Sequence, residues 1–479
     1  MQKNNSRWLL LFLLIPTMAF ATSLHEQEQD PISSVILWLS LIFSLAILGR
    51  YLAKRLHQPG VLGELLMGVL LGNICYFFGL QLIIILREGS AIFNIMRSML
   101  GGVPLADAVS QSIPSATYAA EVTKALSSSH GIEYIKVGYA LDMFSRLGVI
   151  FLLFMVGLES SIQELKHTGR ASIQVALIGV VAPIILGYSV ACLLMPEASY
   201  KSNLFVAATL CATSIGITAR VLSEMKKLRT SEARIILGAA MLDDILGLII
   251  LAIVSSIVIN GQVDTMMIVH VIVSTIVFFA GSLLIGPWVL KKSVSYFHFL
   301  DMWEAKLFVS FIFVMTLSWL ATVVQLASII GAFAAGMIIN DSFFESEDKS
   351  RQHTLKIKDL IAPLEFILAP LFFMLIGIQV KLESFFNWQV LFLASGLIIA
   401  AIVGKVVSGL GGSRKNDRLL IGIGMLPRGE VGLVFASIGR TLGVMSDELF
   451  SAIILMVIVT TFIVPPLLKA RYAKHEKSV

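Results

Sequence analysis

Five ionisable residues lie inside long apolar runs of this chain of 479 residues; they are Asp243, Asp244, Lys405, Arg428 and Glu430. A charged side chain costs about 2.5–3.5 kcal/mol at the centre of a membrane-spanning helix, even on a lenient scale. Isolated charges are therefore unfavourable there, and the five side chains must pair with one another or line a wet cavity. Ionisable groups in such positions are typical of sites that handle ions and protons.

Asp243 and Asp244 are adjacent in sequence, so their side chains point about 100° apart on a helix. The two carboxylates cannot both face the same partner. One of them can bind a cation while the other pairs with a fixed positive group, for which Lys405 is the candidate. A structural ion pair alone does not explain this arrangement, because one lysine cannot neutralise two acids. We therefore predict a site at Asp243 and Asp244 where H⁺ and a metal cation exchange.

The elements that position these residues are predicted to be membrane-spanning helices. The chain is 57% hydrophobic and 14% charged, with a mean hydropathy of +0.87, whereas charged residues make up about a quarter of an ordinary globular chain. Apolar runs long enough to cross a bilayer recur along its length. We predict an all-α polytopic membrane protein, not an enzyme, with the lipid bilayer as its surroundings and no nucleic-acid partner. The three cysteines lie in apolar runs, which favours burial over disulfide or metal chemistry.

Residues 1–22 have the pattern of a cleavable signal peptide, with Lys3 and Arg7 before an apolar core. An uncleaved anchor is the alternative. After this leader the apolar runs predict about thirteen spans, near 32–51, 60–79, 141–158, 171–195, 204–222, 233–259, 265–290, 304–321, 327–340, 361–379, 388–411, 419–440 and 447–469. The excursion at 80–140 is predicted to be an extracytoplasmic insertion, to which the sequence assigns no chemistry.

The distribution of basic residues predicts the orientation of the spans. With the mature N-terminus outside, the inner segments hold 24 Lys and Arg residues. The outer segments hold seven, which are Arg87, Arg97, Lys124, Lys136, Lys201, Lys381 and Arg440. Lys and Arg are enriched in cytoplasmic loops. The C-terminus is therefore predicted to be cytoplasmic, and the high sequence pI of about 9.0 is mostly a topology signal.

The two halves of the span pattern resemble each other. Spans one to six match spans eight to thirteen in part, with 265–290 as a linker helix. In the second helix of each half, two glycines are five residues apart, at Gly63 and Gly68 and at Gly331 and Gly336, and such glycines allow helices to pack closely. The matching helices run in opposite directions across the membrane. We therefore predict two inverted six-helix repeats, as in many transporters.

The fifth helix of each half is predicted to be broken in the middle of the membrane. One break falls in the polar, β-branched stretch 211–218, and the other falls at 426–432, where Pro427 stands beside two glycines and two charges. Inverted repeats would cross the two breaks near the midplane, where transporters bind their ions. The hydroxyls of Thr213 and Ser214 are candidate ligands. The alternative is that the glycines serve packing and Pro427 makes a simple kink.

Arg428 and Glu430 allow two interpretations. Both could support the ion site from the broken helix. Alternatively, Arg428 could form a purely structural ion pair with Glu430 or with Glu64, another acid within a predicted span. The sequence does not separate these two alternatives.

These residues and motifs resemble the bacterial sodium/proton antiporters of the cation:proton antiporter superfamily, in its electrogenic double-aspartate branch. The resemblance extends from about residue 32 to residue 469, with 80–140 as an insertion. The motifs that carry it stand, in this order, at 60–68, 147–154, 157–159, 212–214, 243–244, 404–405 and 427–430. The chain departs from the pattern of the family at Arg146, where an acidic residue is expected, and at Asn73, where proline is expected.

The resemblance implies a homodimer in a bacterial inner membrane. Its dimerisation domain would comprise spans one to three and eight to ten, within 32–195 and 304–379, ranges that also include span four of the core. The ion-translocating core would comprise 171–259 and 388–469 and would move like an elevator. These assignments rest on the resemblance alone.

The resemblance also implies the activity: electrogenic exchange of cytoplasmic Na⁺ or Li⁺ for external protons, without a cofactor. Asp244 would be the principal, transient Na⁺ ligand, helped by Asp243 and Thr213, and Asp243 would pair with Lys405. Related potassium efflux systems carry Gln-Asp at the aspartate pair, so sodium is favoured and K⁺/H⁺ exchange is the alternative. An intramembrane aspartyl protease is disfavoured, because it needs its two aspartates on different helices.

Overall fold

A computed structural model describes the protein over residues 31–56, 58–89, 91–113, 115–159, 169–214, 218, 221–222, 225–227, 230–260, 265–297, 300–324, 326–344 and 355–476. Over these ranges all regular secondary structure is helical, as predicted for an all-α membrane protein. The predicted signal peptide at 1–22 lies outside the described residues.

The described ranges contain eighteen α-helices, which we number in chain order. They are α1 (Pro31–Arg55), α2 (Gly60–Phe77), α3 (Gln81–Arg87), α4 (Ala91–Leu100), α5 (Leu105–Ser112), α6 (Ala116–Leu126), α7 (Gly131–Glu159), α8 (Arg170–Leu194), α9 (Tyr200–Cys211), α10 (Ser231–Asn260), α11 (Thr265–Tyr296), α12 (Met302–Val323), α13 (Ser328–Ile338), α14 (Ile357–Ile378), α15 (Trp388–Ser408), α16 (Arg418–Gly424), α17 (Glu430–Thr441) and α18 (Asp447–Glu476). Short 3₁₀ helices lie at Asp341–Phe343, Leu382–Phe386 and Gly409–Gly411.

Helices occupy the positions of all the predicted spans. In the described part of the chain, ten are long and apolar enough to cross a membrane, namely α1, α2, α7, α8, α10, α11, α12, α14, α15 and α18. The other three predicted spans correspond to α13, which has 11 residues, and to two interrupted segments, α9 with the residues after it and α16 with α17. The total of thirteen crossings therefore stays a prediction. Helix α7 begins at Gly131, well before the predicted start of the third span at residue 141, so its first turns fall in the predicted insertion.

The long helices pack in two groups. The first helix group consists of α1, α2, α7, α12, α13 and α14, and the second consists of α8, α9, α10, α15, α16, α17 and α18; members contact mainly their own group. Helix α11, the predicted linker, contacts α10 on one side and α12 and α13 on the other. Packing within one chain tests neither dimerisation nor movement. The predicted roles of the two groups, as dimerisation domain and moving core, therefore stay predictions.

Two glycine pairs in the first helix group fit the predicted inverted repeat. Gly68 of α2 packs against Gly377 of α14, and Gly157 of α7 packs against Gly336 of α13. A Cβ added at Gly68 or Gly336 would lie 2.3 or 2.2 Å from a backbone carbonyl oxygen of the facing helix, so only glycine allows this approach. In each pair the second helix of one repeat meets the third helix of the other. Two repeats related by an axis in the membrane plane produce this pattern.

The predicted insertion forms four short helices, α3 to α6, with a small apolar core of their own. The buried members of this core are Ile85, Ile92, Ile95, Ala108, Val109, Ile113, Val122 and Ala125. Helix α3 also packs on α2, α7 and α14, and α6 packs on α7. The insertion is therefore attached to the first helix group.

Candidate functional site

Two interrupted helices meet inside the second helix group. Helix α9 ends at Cys211, and the backbone at 212–214 is not helical. Helix α16 ends at Gly424, and α17 begins at Glu430 after a second non-helical stretch at 425–429. The first break falls within the predicted stretch 211–218, and the second overlaps the predicted stretch 426–432. The crossed broken helices are thus present, and the alternative of a simple kink at Pro427 is wrong.

Hydrogen bonds join the two non-helical stretches to each other. The Ser214 N–H donates to the carbonyl oxygen of Pro427 at 2.8 Å, the Thr213 hydroxyl donates to that of Met425 at 3.3 Å, and the Thr218 hydroxyl donates to that of Gly424 at 2.8 Å. Breaking a helix frees backbone groups that lipid cannot satisfy. At this crossing, the groups freed in one helix are bonded by the other helix, so the breaks stabilise each other.

Arg428 is buried at the crossing and bonds to backbone. Its Nη1 donates to the carbonyl oxygen of Ala212, at the end of α9, while the Thr461 hydroxyl of α18 donates to the carbonyl oxygen of Arg428. Within the described residues, Nε and Nη2 of Arg428 have no hydrogen-bond acceptor. A cation at the C-terminal end of a helix complements the partial negative charge there. Arg428 therefore supplies a fixed positive charge at the break, a geometry that the sequence did not predict.

The structure excludes one of the two ion pairs proposed for Arg428. Glu64 accepts a hydrogen bond from Arg50 Nε at 2.6 Å, inside the first helix group. It is therefore not the partner of Arg428, and that alternative is wrong. The side chain of Glu430 lies outside the described residues. The role of Glu430 as a supporting residue stays a prediction.

Lys405 and Asp243 form a direct ion pair in the centre of the second helix group. Lys405 Nζ on α15 lies 2.9 Å from both carboxylate oxygens of Asp243 on α10, and both side chains are fully buried. Gly179 of α8 lies next to the pair, and a Cβ there would be in ordinary contact with Lys405 Nζ, at 3.6 Å. A buried ion pair needs such direct contact to offset the loss of hydration.

Asp244 is buried one residue further along the same helix, with 3% of its surface exposed. Its helix, α10, packs against α9, α16 and α17, the three numbered helices that flank the breaks. The structure thus brings the Asp243–Lys405 pair, Asp244 and the broken helices with Thr213, Ser214 and Arg428 into one assembly. Carboxylate, hydroxyl and carbonyl oxygens suit hard cations. The arrangement can hold either a proton or an alkali cation.

Thr461 and Thr218 take part in this assembly although the sequence analysis gave them no role. Each donates a hydrogen bond to a carbonyl oxygen next to a break, and each is buried. A threonine in mid-span is unremarkable on its own, because its hydroxyl can bond within its own helix. Their part in stabilising the breaks is visible only from their contacts with carbonyl oxygens of another helix.

Comparisons with known proteins find relatives along most of the chain. The transmembrane family of sodium/hydrogen exchangers matches residues 40–470. A high-affinity Na⁺/H⁺ antiporter of Synechocystis, NhaS3, is 38% identical over 98% of this chain and 97% of its own length. An Na⁺/H⁺-K⁺ antiporter of Bacillus cereus, GerN, is 31% identical over 72% of this chain and 87% of its own length.

A solved structure shows the same fold at lower sequence identity. The sodium proton antiporter MjNhaP1 of Methanocaldococcus jannaschii superposes with a TM-score of 0.56 at 18% identity, covering 93% of this chain and 98% of that chain. The family match extends over the broken helices, the aspartate pair and Lys405. The chain therefore belongs to the sodium/hydrogen exchanger family of membrane antiporters.

Proposed function

We propose that the protein exchanges cytoplasmic Na⁺ for external protons across a bacterial inner membrane, and that Asp244 is the group that binds them in turn. One observation carries the proposal: Asp244 is buried beside the Asp243–Lys405 ion pair, on a helix that packs against both broken helices. Ionisable groups at such positions are typical of sites that handle ions and protons. A proton or an alkali cation can supply a counter-charge to Asp244, and the two compete for the same oxygens.

The proposed transported cation is Na⁺. The relative NhaS3 is named as a high-affinity Na⁺/H⁺ antiporter, and GerN is named as an Na⁺/H⁺-K⁺ antiporter. The second name supports K⁺/H⁺ exchange as the alternative function. Li⁺ has the same charge and the same preference for oxygen ligands as Na⁺, so it is expected to be transported as well.

Exchange is expected to be electrogenic. When the site faces the acidic side, Asp244 carries a proton and Lys405 bonds to Asp243. When the site faces the cytoplasm, Na⁺ displaces the proton of Asp244 and weakens the Asp243–Lys405 pair, so that Lys405 releases a second proton. Two H⁺ then enter for each Na⁺ that leaves, and the membrane potential contributes about 2.3 kcal/mol per net charge for each 100 mV.

Alternating access is expected to occur by movement of the second helix group against the first. Both partners of the central ion pair lie in the second group, as do both broken helices. The ion site can therefore move as a unit, like an elevator. The first helix group would provide the fixed support and the contact with a second copy of the chain, with the mature N-terminus outside and the C-terminus in the cytoplasm.

Everted membrane vesicles from a strain without its own antiporters provide the test. Addition of Na⁺ should release protons from the vesicles and restore the fluorescence of a pH-sensitive dye, and Li⁺ and K⁺ are then added in turn. Asp244→Asn should abolish the response, a loss of about a hundredfold or more, because a neutral amide neither carries the proton nor attracts the cation. The matched control is Asp142→Asn, which removes an exposed carboxylate that pairs with Arg146 on α7.

The outcomes separate the proposals. A response to Na⁺ that depends on Asp244 but not on Asp142 supports the proposed function. A response to K⁺ with none to Na⁺ favours the alternative cargo. Full activity of Asp244→Asn would falsify the assignment of the ion site.

A further inference from the structure

A second cluster of charged residues lies far from the aspartate pair in sequence and joins three parts of the chain. Its six members are Arg87, Glu88, Lys381, Glu383, Arg440 and Asp447. Arg87 and Glu88 end the first helix of the insertion, while Lys381 and Glu383 follow α14 of the first helix group. Arg440 and Asp447 stand at the corner between α17 and α18 of the second helix group. We refer to these six residues as the outer cluster.

Lys381 is the centre of the outer cluster and is fully buried. Its Nζ lies 2.8 Å from a carboxylate oxygen of Glu88 and 2.6 Å from one of Asp447. The same ammonium group lies 3.5 Å from the centre of the Tyr118 ring, close enough for a cation–π contact. One lysine thus binds the insertion on one side and the second helix group on the other.

Arg440 reinforces the same connection from the side of the second helix group. Its Nη2 donates to Asp447 at 2.7 Å and to the backbone carbonyl oxygen of Arg87 at 2.8 Å. Its Nη1 donates to the side-chain oxygen of Gln379, at the end of α14, at 3.0 Å. The corner between α17 and α18 is therefore held both to the insertion and to the first helix group.

The insertion side of the outer cluster is itself held firmly. Arg87 Nη2 lies 2.7 Å from both carboxylate oxygens of Glu383, and the Tyr118 hydroxyl donates to Glu383 at 3.0 Å. Desolvation of Tyr118, together with the negative charge of Glu383, raises the pKa of the Tyr118 hydroxyl, so it keeps the proton that it donates. These bonds join insertion helix α6 and the end of α3 to the segment after α14.

Asn73 of α2 also holds the segment after α14 and the end of α3 in place. Its Nδ2 donates to the carbonyl oxygen of Val380 at 2.9 Å, and its Oδ1 accepts from the Leu382 N–H at 3.1 Å and from Arg87 at 3.2 Å. A proline, which the resemblance led us to expect at this position, has no side-chain amide and could make none of these bonds. The departure from the family pattern thus coincides with the residues that hold the insertion.

The outer cluster borders a large cavity with both polar and apolar residues in its wall. The cavity has a volume of about 1530 Å³, and Glu88, Glu383, Arg440 and Asp447 are among the residues that line it. Water can therefore reach the carboxylates of Glu383 and Asp447 and the guanidinium of Arg440, while Lys381 itself stays buried. Ion pairs with access to water can separate at low cost, because hydration replaces the lost contact. The pairs at this position are suited to breaking and re-forming.

We propose that Lys381, Arg440 and Asp447 form a latch that holds the second helix group in the described state, with the insertion as its fixed base. The proposal rests on the proposed function, since it requires the second group to move. Arg440 and Asp447 would move, whereas Lys381, Gln379 and Arg87 would stay with the first group. The bonds between these two sets must break each time the second group moves. They therefore stabilise the described state relative to the state in which the second group is displaced.

The test compares the Na⁺ half-saturation constants on the two faces of the membrane, in right-side-out and in everted vesicles. Asp447→Asn removes the carboxylate shared by Lys381 and Arg440, while Lys381 keeps Glu88 as a partner. An apparent affinity scales with the population of the state that binds. The two half-saturation constants should therefore move in opposite directions, and their ratio should change about threefold or more. The matched control is Arg471→Gln on the same helix, whose partner Asp417 lies in the same helix group.

The expected results differ from those of a merely structural role. Lower protein levels with both constants unchanged, or a shift of both in the same direction, would show that there is no latch. A double variant, Glu88→Gln with Lys381→Met, removes both members of a buried pair and leaves no isolated charge. It should shift the ratio in the same sense as Asp447→Asn, and an unchanged ratio contradicts the proposal.

A measurement without transport separates this proposal from the proposed function. In hydrogen–deuterium exchange of the purified protein, Asp447→Asn should speed exchange both at the start of α18 and in insertion helices α3 and α6, whereas Arg471→Gln should not affect the insertion. If the wild type exchanges no Na⁺ for H⁺, the proposed function fails while this measurement still decides whether the contact exists. Unchanged exchange in the insertion overturns the latch.

Discussion

Two buried lysines of the chain illustrate two different uses of an ion pair. Lys405 bonds to Asp243 at 2.9 Å, and Lys381 bonds to Asp447 at 2.6 Å, so the contacts are similar in length. Lys405 and Asp243 lie on α15 and α10, two helices of the same group. Lys381 is held to α2 of the first group, because its neighbours Val380 and Leu382 both bond to Asn73, whereas Asp447 begins α18 of the second group. The first pair can travel with its group intact, whereas the second must separate if the groups move apart.

The two lysines also differ in the number of partners around them. Lys381 has two carboxylates, Glu88 and Asp447, and the ring of Tyr118. The carboxylate that bonds to Lys405 is that of Asp243, through both of its oxygens. A redundant pair tolerates loss of one partner, but a single buried pair does not. This difference predicts different responses to comparable substitutions.

Loss of the pair between Asp243 and Lys405 is expected to have the largest effect, on the free energy of unfolding. Asp243→Asn leaves the Lys405 ammonium in a fully buried position without its carboxylate, which should lower the free energy of unfolding by about 3–5 kcal/mol. Asp447→Asn should cost only about 1 kcal/mol, because Lys381 keeps Glu88. Equilibrium unfolding of the purified protein in denaturant measures both values.

A double variant shows whether the isolated charge causes the loss. Asp243→Asn with Lys405→Met should recover most of the stability, since no uncompensated ammonium remains. Equal destabilisation by Asp243→Asn and Asp447→Asn would contradict the proposed difference between the single pair of Lys405 and the redundant pairs of Lys381.

Lys405→Gln should remove the coupling of exchange to the membrane potential. Without the lysine proton, one H⁺ would enter for each Na⁺, and the cycle would carry no net charge. In proteoliposomes, a potential of 100 mV should change the limiting Na⁺ gradient of the wild type about fiftyfold and that of the variant not at all. Lys201→Gln is a matched control, because Lys201 belongs to the same helix group but bonds to the carbonyl oxygen of Val258. A variant that still responds to the potential contradicts the proposed role of Lys405.

The central site was largely predictable because charges in apolar runs are rare. Asp243, Asp244 and Lys405 stood out in the sequence, and the structure joins Asp243 to Lys405 directly. The breaks near residues 212 and 427 were also visible, because proline, glycine and polar residues interrupt an apolar span. The role of Arg428 at the end of α9 was not predictable, since its acceptor, the carbonyl oxygen of Ala212, is a backbone group.

The outer cluster was not predictable for a physical reason. Arg87, Lys381 and Arg440 lie in or at the edge of segments that the sequence predicted to be outside the membrane, where a charged residue is ordinary and gives no signal. In the sequence they were exceptions to the enrichment of basic residues inside; in the structure each bonds to a carboxylate. The contact between Arg440 and the backbone of Arg87 joins residues 353 positions apart, and only the tertiary fold brings them together. The early start of α7 escaped prediction similarly, because polar residues in its first turns resemble a loop.

Thr213→Val is expected to have the smallest effect, and it separates binding of the ion from control of conformation. The Thr213 hydroxyl donates to the carbonyl oxygen of Met425 at 3.3 Å, a long bond whose loss costs about 0.5–1.5 kcal/mol. If the hydroxyl also binds Na⁺, the half-saturation constant should rise about two- to tenfold on both faces. Thr209→Val is the matched control, because the Thr209 hydroxyl bonds within α9 to Phe205 at 2.9 Å.

The direction of these shifts distinguishes the two regions. A ligand of the ion contributes to affinity in both conformational states, so its removal weakens binding from both sides. A latch affects only the populations of the states, so its removal weakens binding from one side and strengthens it from the other. Equal half-saturation constants in Thr213→Val and the wild type would exclude Thr213 as a ligand and leave Asp244 with the backbone oxygens of the crossing. Opposite shifts in Thr213→Val would instead mean that the crossing itself controls the conformational equilibrium, a role that we assign to the outer cluster.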